Sequence, residues 1–402
     1  INEMNVFKLC VATVFCFMVA SCSNEDLENV SVPDGMPRTK SVENTVELST
    51  VAQLLASIEI DQTVMNEVKA GVERSLKYGL DEEYRFTDLL KPSLSKIQRT
   101  SGPSLLLQKM TDALNVQQEQ LKSGMSSSDF FNCLSDSDIQ IYWPFSEKWD
   151  GCTQPVLLYA TNDNNKACKI HLEDGLIGVD TIRTTQDFMK KNTVWIISVN
   201  ETSYDELPDF ENGEYVNKNG VFFYSEIANE WLNKMQSKSR LGLMDPVHIG
   251  EVTVYEEDGS GGPEVYFMWG HAGGGMGLPI QGYINTYRLN LSLGEVGLVK
   301  QLNLNIQPNW TSYQKTNALI ILEKDGGKDK TATRNLIYTN PSGMTDVTVP
   351  IDFKYERRDE WLYDGIFERS KIFSSANRAS DGSYKQYHGS GIYFTLPTPG
   401  FN

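Results

Sequence analysis

From Pro246 onward, the sequence alternates between short apolar segments and turns rich in glycine and aspartate. Valine, isoleucine and aromatic residues favour extended backbone, whereas Gly and Asp favour turns, so each apolar segment predicts a β-strand. Many short strands separated by such turns are typical of an antiparallel β-sandwich, which we expect over residues 246–402. The candidate strands are residues 249–255, 265–269, 283–291, 318–322, 347–355 and 392–396.

A region with helical spacing lies earlier in the chain. Val64, Val68 and Val72 recur every four residues, which places them on one face of a helix that Asp61 can cap. We therefore expect a helical region over residues 48–125, whose apolar stripes either pack into a core or bind a partner. Its other predicted helices lie near residues 50–58, 81–91 and 103–121.

Residues 126–245 show both kinds of signal. Apolar runs bounded by turn residues predict strands, and the spacing of Ile227, Trp231 and Met235 predicts a helix over residues 225–238. The whole chain is therefore expected to be a multidomain α+β protein, with an N-terminal helical segment, a mixed α/β middle region and a C-terminal antiparallel β-sandwich. The predicted strands of the middle region are residues 139–143, 156–159, 194–199 and 221–224.

A short apolar run precedes all of these regions. Residues 9–20 carry no charge, which suits the core of a secretory signal peptide, and they are too few for a membrane-spanning helix of about 20 residues. The run ends in Val19-Ala20-Ser21-Cys22, which resembles a bacterial lipobox. The resemblance implies that residues 1–21 are a lipoprotein signal peptide, that Cys22 carries a lipid, and that residues 22–47 form a flexible tether. An ordinary signal peptide is the alternative.

The residues after Cys22 indicate where such an anchor would hold the protein. Ser23 resembles an outer-membrane sorting signal, and Glu25-Asp26 resembles the surface-export signal of Bacteroidota lipoproteins. The resemblance implies a Bacteroidota-type envelope lipoprotein of the cell outer membrane, exposed at the surface or, alternatively, facing the periplasm. Several acyl chains would anchor it durably, because each buried CH₂ contributes about 0.8 kcal/mol.

An excess of acidic residues limits the partners of this chain. The net charge is -17 at pH 7, so the surface repels phosphate backbones and nucleic acid is excluded as a partner class. The same charge disfavours docking on anionic lipid, which leaves the lipid anchor as the expected membrane link. The cysteines and histidines show no CxxC pair and no spacing typical of a zinc site.

Two further covalent features are predicted. Cys152 and Cys168 flank a predicted strand and turn, so we expect a disulfide between them. Closing a loop of that size would stabilise the fold by about 3 kcal/mol in the chain-entropy model. Thr181 lies in Asp180-Thr181-Ile182, which resembles the three-residue O-glycosylation pattern of the Bacteroidota and implies a glycan on Thr181.

Acidic residues cluster at predicted strand ends of the C-terminal region. Loops distant in sequence can meet at one end of a Greek-key sandwich, and carboxylate oxygens suit Ca²⁺. The order of strands and acidic turns resembles a C2-type calcium sandwich over about residues 247–396, which implies a calcium site. Solvated loop charges without a metal are the alternative. The six candidate ligands are Glu256, Glu257, Asp258, Asp359, Glu360 and Asp364.

A glycine-rich stretch surrounds His271. A His-Gly-Gly run can build an oxyanion hole in α/β hydrolases, but the Gly-x-Ser-x-Gly motif of that fold is missing from the sequence. We therefore expect residues 269–277 to form a mobile loop between strands. The alternative is that the stretch forms the lip of a ligand site, with His271 as a ligand contact.

Aromatic residues cluster near Trp143 and Trp149. Exposed Trp and Tyr rings can stack against sugar rings, because both combine apolar faces with polar edges. The cluster therefore makes Trp143 and Trp149 candidate ligand contacts. A buried strand end explains the same cluster without any ligand.

The features above favour a non-enzymatic role. A lipid-anchored binding or adhesion protein of the cell envelope, recognising a glycan, a peptide or a protein partner, fits an anchored chain in which no catalytic motif is recognisable. A surface hydrolase of polymeric substrates that uses dispersed carboxylates is the alternative. A purely structural envelope component is a third possibility that the sequence leaves open.

Overall fold

The structure, a computed structural model, describes residues 46–92, 95–97, 103–121, 126–161, 163, 166–173, 176–238, 245–255, 262–275, 277–325 and 327–399. The chain divides into two compact units. The N-terminal unit contains the described residues up to 214 except 77–79, and the C-terminal unit contains residues 77–79 and those from 215 onward. Helices and antiparallel sheets occur together, which confirms a mixed α and β fold. No helix in the described part of the chain is long and apolar enough to cross a membrane.

One six-stranded sheet organises the N-terminal unit. Its strands are β1 (Glu83–Arg85), β2 (Ile139–Tyr142), β3 (Val156–Ala160), β4 (Lys166–Glu173), β5 (Leu176–Arg183) and β6 (Val194–Val199). They lie in the order β1-β2-β6-β3-β4-β5. Strands β3 and β6 are parallel, and the other neighbouring pairs are antiparallel. Strands β4 and β5 have no counterpart in the sequence prediction.

Helices accompany this sheet. The described ones are α1 (Leu48–Ala56), α2 (Gln62–Lys77), α3 (Phe86–Leu90), α4 (Leu105–Leu121), α5 (Ser127–Ser135) and α6 (Gln186–Lys191). The start of α2 is as predicted, because the Asp61 side chain accepts hydrogen bonds from the backbone N–H groups of Thr63 and Val64. Helix α5 was not predicted; its start is stabilised by Ser126, whose side chain accepts a hydrogen bond from the Asp129 N–H.

The helices and the sheet of the N-terminal unit share one core. Leu54, Val68 and Met110 of α1, α2 and α4 are buried in the same apolar cluster as Ile141 of β2 and Trp195 of β6. Helical stripes of this kind need a second layer to bury their apolar face. The helical region predicted over residues 48–125 therefore shares its core with the strands that follow residue 125.

Residues 83–85 form a strand, although the sequence predicted a helix over residues 81–91. Glu83, Tyr84 and Arg85 are buried, and β1 pairs with β2 in antiparallel register. Pairing and burial override the local helical preference of this segment, and only the short α3 remains helical.

A buried ion pair explains how charged residues fit into β1. The Arg85 Nε atom lies 2.6 Å from Glu83 Oε1, and both side chains are at most 3% exposed. Arg85 also donates to the Thr202 carbonyl at 2.9 Å. The Asn200 side chain donates to Glu83 and, at 2.6 Å, to Gln140 Oε1. Such a network is stable only when all of its members are present, because removing one partner leaves a buried charge uncompensated.

The variant Glu83→Ala should therefore lower the free energy of unfolding by about 3–5 kcal/mol, because Arg85 loses its buried partner. Urea denaturation measures this change. The matched control is Glu73→Ala, which removes the surface pair with Lys69, in which the Glu73 side chain is 59% exposed. The control should change stability by about 0.5 kcal/mol or less. Equal effects of the two variants would contradict the assigned role of the Glu83–Arg85 pair.

Three sheets form the C-terminal unit. Its described strands are β7 (Val221–Phe223), β8 (Val247–Val254), β9 (Glu264–Gly275), β10 (Leu278–Asn290), β11 (Lys300–Gln307), β12 (Thr316–Glu323), β13 (Asp329–Asn340), β14 (Thr345–Glu356), β15 (Glu360–Glu368), β16 (Gln386–His388) and β17 (Ile392–Thr395). A five-stranded sheet has the order β15-β12-β9-β10-β7, and a four-stranded sheet has the order β11-β8-β17-β16. Strands β13 and β14 form a separate hairpin, and helices α7 (Glu226–Lys238) and α8 (Arg369–Ile372) complete the unit.

Both faces of the five-stranded sheet make contacts within this unit. On one face, Trp269 of β9 donates from its indole N–H to Gln307 of β11 at 3.1 Å, and Tyr287 donates to the Ile306 carbonyl at 3.2 Å. On the other face, Phe353 of β14 lies against Gly270, where a Cβ atom would come within 2.4 Å of the phenyl ring. Glycine is therefore required at position 270 for the hairpin to pack this closely.

The six predicted strands of the C-terminal region are confirmed at their centres; five are longer than predicted, and β17 ends one residue earlier than predicted. Strand β9 runs to Gly275, whereas the prediction ended at Trp269. Strands β11, β13, β15 and β16 were not predicted, because the prediction relied on apolar runs and polar residues interrupt the apolar residues of these strands. Helix α7 matches the predicted helix over residues 225–238.

Candidate functional site

Two aromatic rings are stacked near the tip of the β9–β10 hairpin. Tyr283 of β10 is paired directly with His271 of β9. The ring centroids are 5.6 Å apart, and the ring planes are inclined by only 21°. Tyr283 is 42% exposed and Gln281 is exposed beside it. We call His271, Gln281 and Tyr283 the aromatic shelf.

Strand geometry explains why these side chains share one face. Successive side chains alternate between the two faces of a sheet, so His271 lies on the same face as Trp269. Trp269 is buried in the core, whereas His271 is only half-buried because it lies nearer the hairpin tip. Gly273 leaves room for the neighbouring ring, since a Cβ atom there would lie 3.2 Å from Tyr283 Cε2. The glycine run thus shapes the shelf.

The aromatic shelf is uncharged. Burial lowers the pKa of His271 to about 4, so its imidazole is neutral at physiological pH. Its buried Nδ1 has no hydrogen-bond partner among the residues that the structure describes. Gln281 donates from Nε2 to the Tyr283 hydroxyl at 2.8 Å, which fixes the orientation of the phenol group.

A second phenol lies close to the shelf. Tyr338 of β13 donates from its hydroxyl to the Gly274 carbonyl at 2.7 Å. Burial raises the pKa of Tyr338, and the neighbouring Tyr313 and Tyr283 raise it further. Tyr313 is 36% exposed, so the neighbourhood of the shelf presents two partly exposed phenol groups.

The prediction of a mobile loop over residues 269–277 is wrong. His271 lies inside β9, which is paired with β10 and, as far as Gly270, with β12. Glycines are depleted from strands, which is why the run suggested a loop. Here they occur because neighbouring side chains approach the backbone closely, as at Gly270 and Gly273. The alternative prediction, His271 as a ligand contact, stays a prediction.

A second candidate site lies where β12 ends and β15 begins. Oxygen atoms of Glu323, Asp325 and Glu360 all lie within 4.8 Å of one another. Glu323 is directly paired with Glu360 across the β12–β15 ladder. Burial raises the pKa of Asp325, and the nearby Glu360 and Asp359 raise it further. We call these three residues the acidic cluster; hard carboxylate oxygens at this spacing could hold a divalent cation.

Of the six predicted calcium ligands, the structure places only Glu360 in the acidic cluster. Asp359 is 6% exposed, and it accepts hydrogen bonds from Lys324 Nζ at 3.0 Å and from the Glu356 N–H at 2.7 Å. This carboxylate is a structural ion-pair partner, so its prediction as a ligand is wrong. Asp364 lies within β15 and forms an ion pair with Arg334, which likewise removes it from the site. Glu256, Glu257 and Asp258 lie outside the described residues.

The sequence prediction missed Glu323 and Asp325. The turn that begins at Asp325-Gly326-Gly327 was visible, but only the strand register shows that Glu323 lies opposite Glu360. A register is set by pairing between strands distant in sequence, so a single sequence does not disclose it.

Trp143 is a core residue. It is 1% exposed, and its ring makes edge contacts with Trp149 at 5.5 Å and with Trp195 at 5.7 Å between centroids. A ligand in solution does not reach a ring buried in this way, so the prediction that Trp143 contacts a ligand is wrong. Trp149 is half-buried and donates from its indole N–H to the Thr153 carbonyl at 2.9 Å.

The predicted disulfide between Cys152 and Cys168 is not formed, and both thiols are free. The residue opposite Cys168 across the β3–β4 ladder is Tyr159, whereas Cys152 precedes β3 in an exposed turn. A disulfide requires two Cα atoms within about 7 Å, which this register does not provide. Thr181, the predicted glycosylation position, is exposed on the edge strand β5. Cys22 lies outside the described residues.

Comparison with known proteins gives no match: no family model, no curated protein and no solved structure is similar to this chain. The candidate sites are therefore ranked by their own geometry. The aromatic shelf combines a partly exposed ring with an unpartnered imidazole nitrogen, whereas the acidic cluster offers carboxylates alone. The shelf is the stronger candidate for contact with a ligand.

The low pKa of His271 predicts a pH dependence of stability. The unfolded chain binds a proton at His271 below about 6.5, whereas the folded chain does so only near pH 4, so the free energy of unfolding should fall as the pH decreases from 6.5 to 4. His271→Gln should remove this part of the slope in urea denaturation. The control His388→Gln, at an exposed histidine of the same unit, should keep it. An unchanged slope in His271→Gln would show that the imidazole is not desolvated.

Proposed function

We propose that this chain is a lipid-anchored binding or adhesion protein of the cell outer membrane, exposed at the cell surface. A lipid on Cys22 holds it at the membrane, and residues 22–47 act as the tether. The C-terminal unit recognises a glycan, a peptide or a protein partner. Labelling with a radioactive fatty acid tests the anchor, because the label should be lost in Cys22→Ala.

The observation that carries the binding role is the partly exposed ring pair of the aromatic shelf. A large flat side chain that is 42% exposed beside a half-buried imidazole contributes little to the core. Aromatic rings with polar edges are the side chains that binding surfaces use most. Strand β9 is paired on both sides as far as Gly270, and its pairing with β10 continues through His271 and Tyr283, so the ladder holds the shelf in place before a ligand arrives.

The proposal includes a β-sandwich as the framework of the C-terminal unit. The hydrogen bonds from Trp269 and Tyr287 to β11 support face-to-face packing of the five-stranded and four-stranded sheets. The edge contact between Tyr363 of β15 and Phe394 of β17, with centroids 4.8 Å apart, supports it further. Two packed sheets present loops and strand ends at their rims, where binding residues of such folds often lie.

A pull-down with the protein starting after Asp26 tests the binding role. Tyr283→Ala should lose most of the captured envelope glycan or protein, because the variant removes the exposed ring of the shelf. Tyr255→Ala is the matched control: Tyr255 directly follows β8 in the same unit and is 53% exposed, so its removal should leave capture intact. Equal capture by wild type and Tyr283→Ala would place the binding surface elsewhere or remove the binding role.

The acidic cluster supports a second role, calcium binding, because three carboxylates from two adjoining strand ends converge. Added Ca²⁺ should raise the melting temperature of the wild type by mass action. Glu360→Gln should abolish the shift, whereas Asp364→Asn should keep it, because Asp364 is paired with Arg334. A wild-type melting temperature that does not respond to Ca²⁺ would retire this role.

A surface hydrolase of polymeric substrates is the alternative to a binding protein. Close carboxyl groups of which one, Asp325, has a raised pKa are the arrangement that general acid–base hydrolysis needs. Release of reducing ends from a polysaccharide by wild type, and its loss in Asp325→Asn, would favour this alternative over the binding role.

A further inference from the structure

Two hairpin turns lie together at one end of the C-terminal unit. The turn between β9 and β10 meets the turn between β13 and β14, because a Cβ atom on Gly275 would come within 2.6 Å of Pro341 Cδ. We call residues 277–280 and 341–344 the hairpin tips. They form one continuous piece of surface, although they are far apart in the sequence.

A small core holds both hairpin tips in place. Ala272 of β9 is buried in one apolar cluster with Tyr338 and Val349 of the second hairpin, and Ile280 packs against this cluster. The Tyr338 hydroxyl also donates to the Gly274 carbonyl at 2.7 Å. The tips are therefore presented by ordered β-structure, so little backbone order remains to be gained when they bind.

Each hairpin tip presents a long aliphatic side chain to solvent. Leu278 and Met344 are both 71% exposed, the highest fraction among the large hydrophobic side chains that the structure describes. Met344 has a φ of 54°, a left-handed conformation for which Gly or Asn is the usual residue. Neither its backbone nor the core favours methionine at this position, which indicates that the side chain serves a contact outside the fold.

The hairpin tips carry no charge, although the chain is strongly acidic. Residues 265–287 contain no Asp, Glu, Lys or Arg, and residues 335–345 contain none either, whereas 22% of the whole sequence is charged. The first carboxylate after the second tip belongs to Asp346, and it accepts a hydrogen bond from the Thr339 hydroxyl at 2.6 Å. The surface of the tips is therefore suited to an apolar partner and not to an ionic one.

The size of the hairpin tips decides between a protein and a lipid partner. A stable protein interface takes about 20–30 residues a side, whereas the exposed apolar residues of the tips are Leu278, Pro279 and Met344. A bilayer accepts such side chains one by one, because each gains by leaving water and none needs a matching pocket. The net charge of -17 opposes docking on anionic lipid but not on an uncharged headgroup layer.

We infer that the hairpin tips insert Leu278 and Met344 into the headgroup–acyl boundary of an uncharged lipid bilayer. The inference rests on the lipid anchor of the proposed function, which keeps the tips close to the membrane and so makes a weak contact effective. The aromatic shelf stays outside the apolar layer, because His271 precedes Gly275 by four residues, about 13 Å along a strand. A ligand of the shelf is therefore met at the membrane surface.

A tethered form of the protein tests the insertion. The protein starting after Asp26, with its three cysteines replaced by serine, carries an N-terminal hexahistidine tag. Phosphatidylcholine vesicles with a nickel-chelating lipid hold it in place of the natural anchor. An NBD fluorophore on Leu278→Cys or Met344→Cys should shift its emission to the blue and be quenched by nitroxide-labelled lipid. The control is Tyr255→Cys, which should show neither effect, because Tyr255 is 53% exposed beyond the end of β8 that is remote from Trp269.

Two identical substitutions measure the contribution of one tip. In the protein labelled at Leu278→Cys, Met344→Gln should lower the ratio of inserted to free label about tenfold, because an apolar side chain no longer leaves water. The matched control is Met235→Gln, at a methionine that is 50% exposed on α7 of the same unit, and it should leave the ratio unchanged. Replacing part of the phosphatidylcholine by phosphatidylglycerol should lower the ratio in every variant.

Five outcomes would overturn the inference. They are unchanged emission at both tips, the same change at Tyr255, equal effects of Met344→Gln and Met235→Gln, insertion that requires phosphatidylglycerol, and a blue shift that appears without vesicles as the protein concentration rises. The last would show that the tips associate with one another instead. Each outcome leaves the anchor standing, because fatty-acid labelling of Cys22 tests it separately. Circular dichroism of each variant confirms that a lost signal is not lost folding.

Discussion

Strand β9 sets the arrangement of the C-terminal unit, because it pairs with β10 on one side and with β12 on the other. A strand that is paired on both sides has no freedom of register, so each of its side chains is committed to one face. Trp269 is therefore directed into the core, and His271, two residues later, reaches the end of the same face, where Tyr283 is partly exposed. The position of the aromatic shelf follows from this pairing.

Much of the secondary structure could be predicted from apolar periodicity. Helix α2 and strands β3, β6 and β12 were predicted because the apolar residues that mark each of them lie within a few residues of one another in the sequence. Strand β14 was also predicted, whereas its hairpin partner β13 was not, because Ala332 is the only apolar residue in its first half. Residues 83–85 show the same limit: a buried arginine and glutamate look solvent-exposed until the ion pair between them is known.

The candidate sites could be predicted only in part. His271 was predicted as a ligand contact because glycines surround it in the sequence. In the structure those glycines serve packing, since Gly270 leaves room for the Phe353 ring and Gly273 for the Tyr283 ring. Among the acidic residues, sequence alone does not distinguish a ligand from a structural carboxylate. Asp359 accepts hydrogen bonds from Lys324 and from backbone N–H groups. Its neighbour Glu360 instead lies opposite Glu323 in the β12–β15 ladder, so the two carboxylates come close together.

The buried tryptophans have a spectroscopic consequence. Trp143 contacts Trp195 in the N-terminal unit, and Trp269 contacts Trp310 in the C-terminal unit, each pair edge to face and removed from water. Each unit therefore contains its own fluorophores, and the emission of the intact protein is the sum of two signals. Replacing every tryptophan of one unit by phenylalanine would let the remaining ones report on the other unit alone; the further positions are Trp149 in the N-terminal unit and Trp231 and Trp361 in the C-terminal unit.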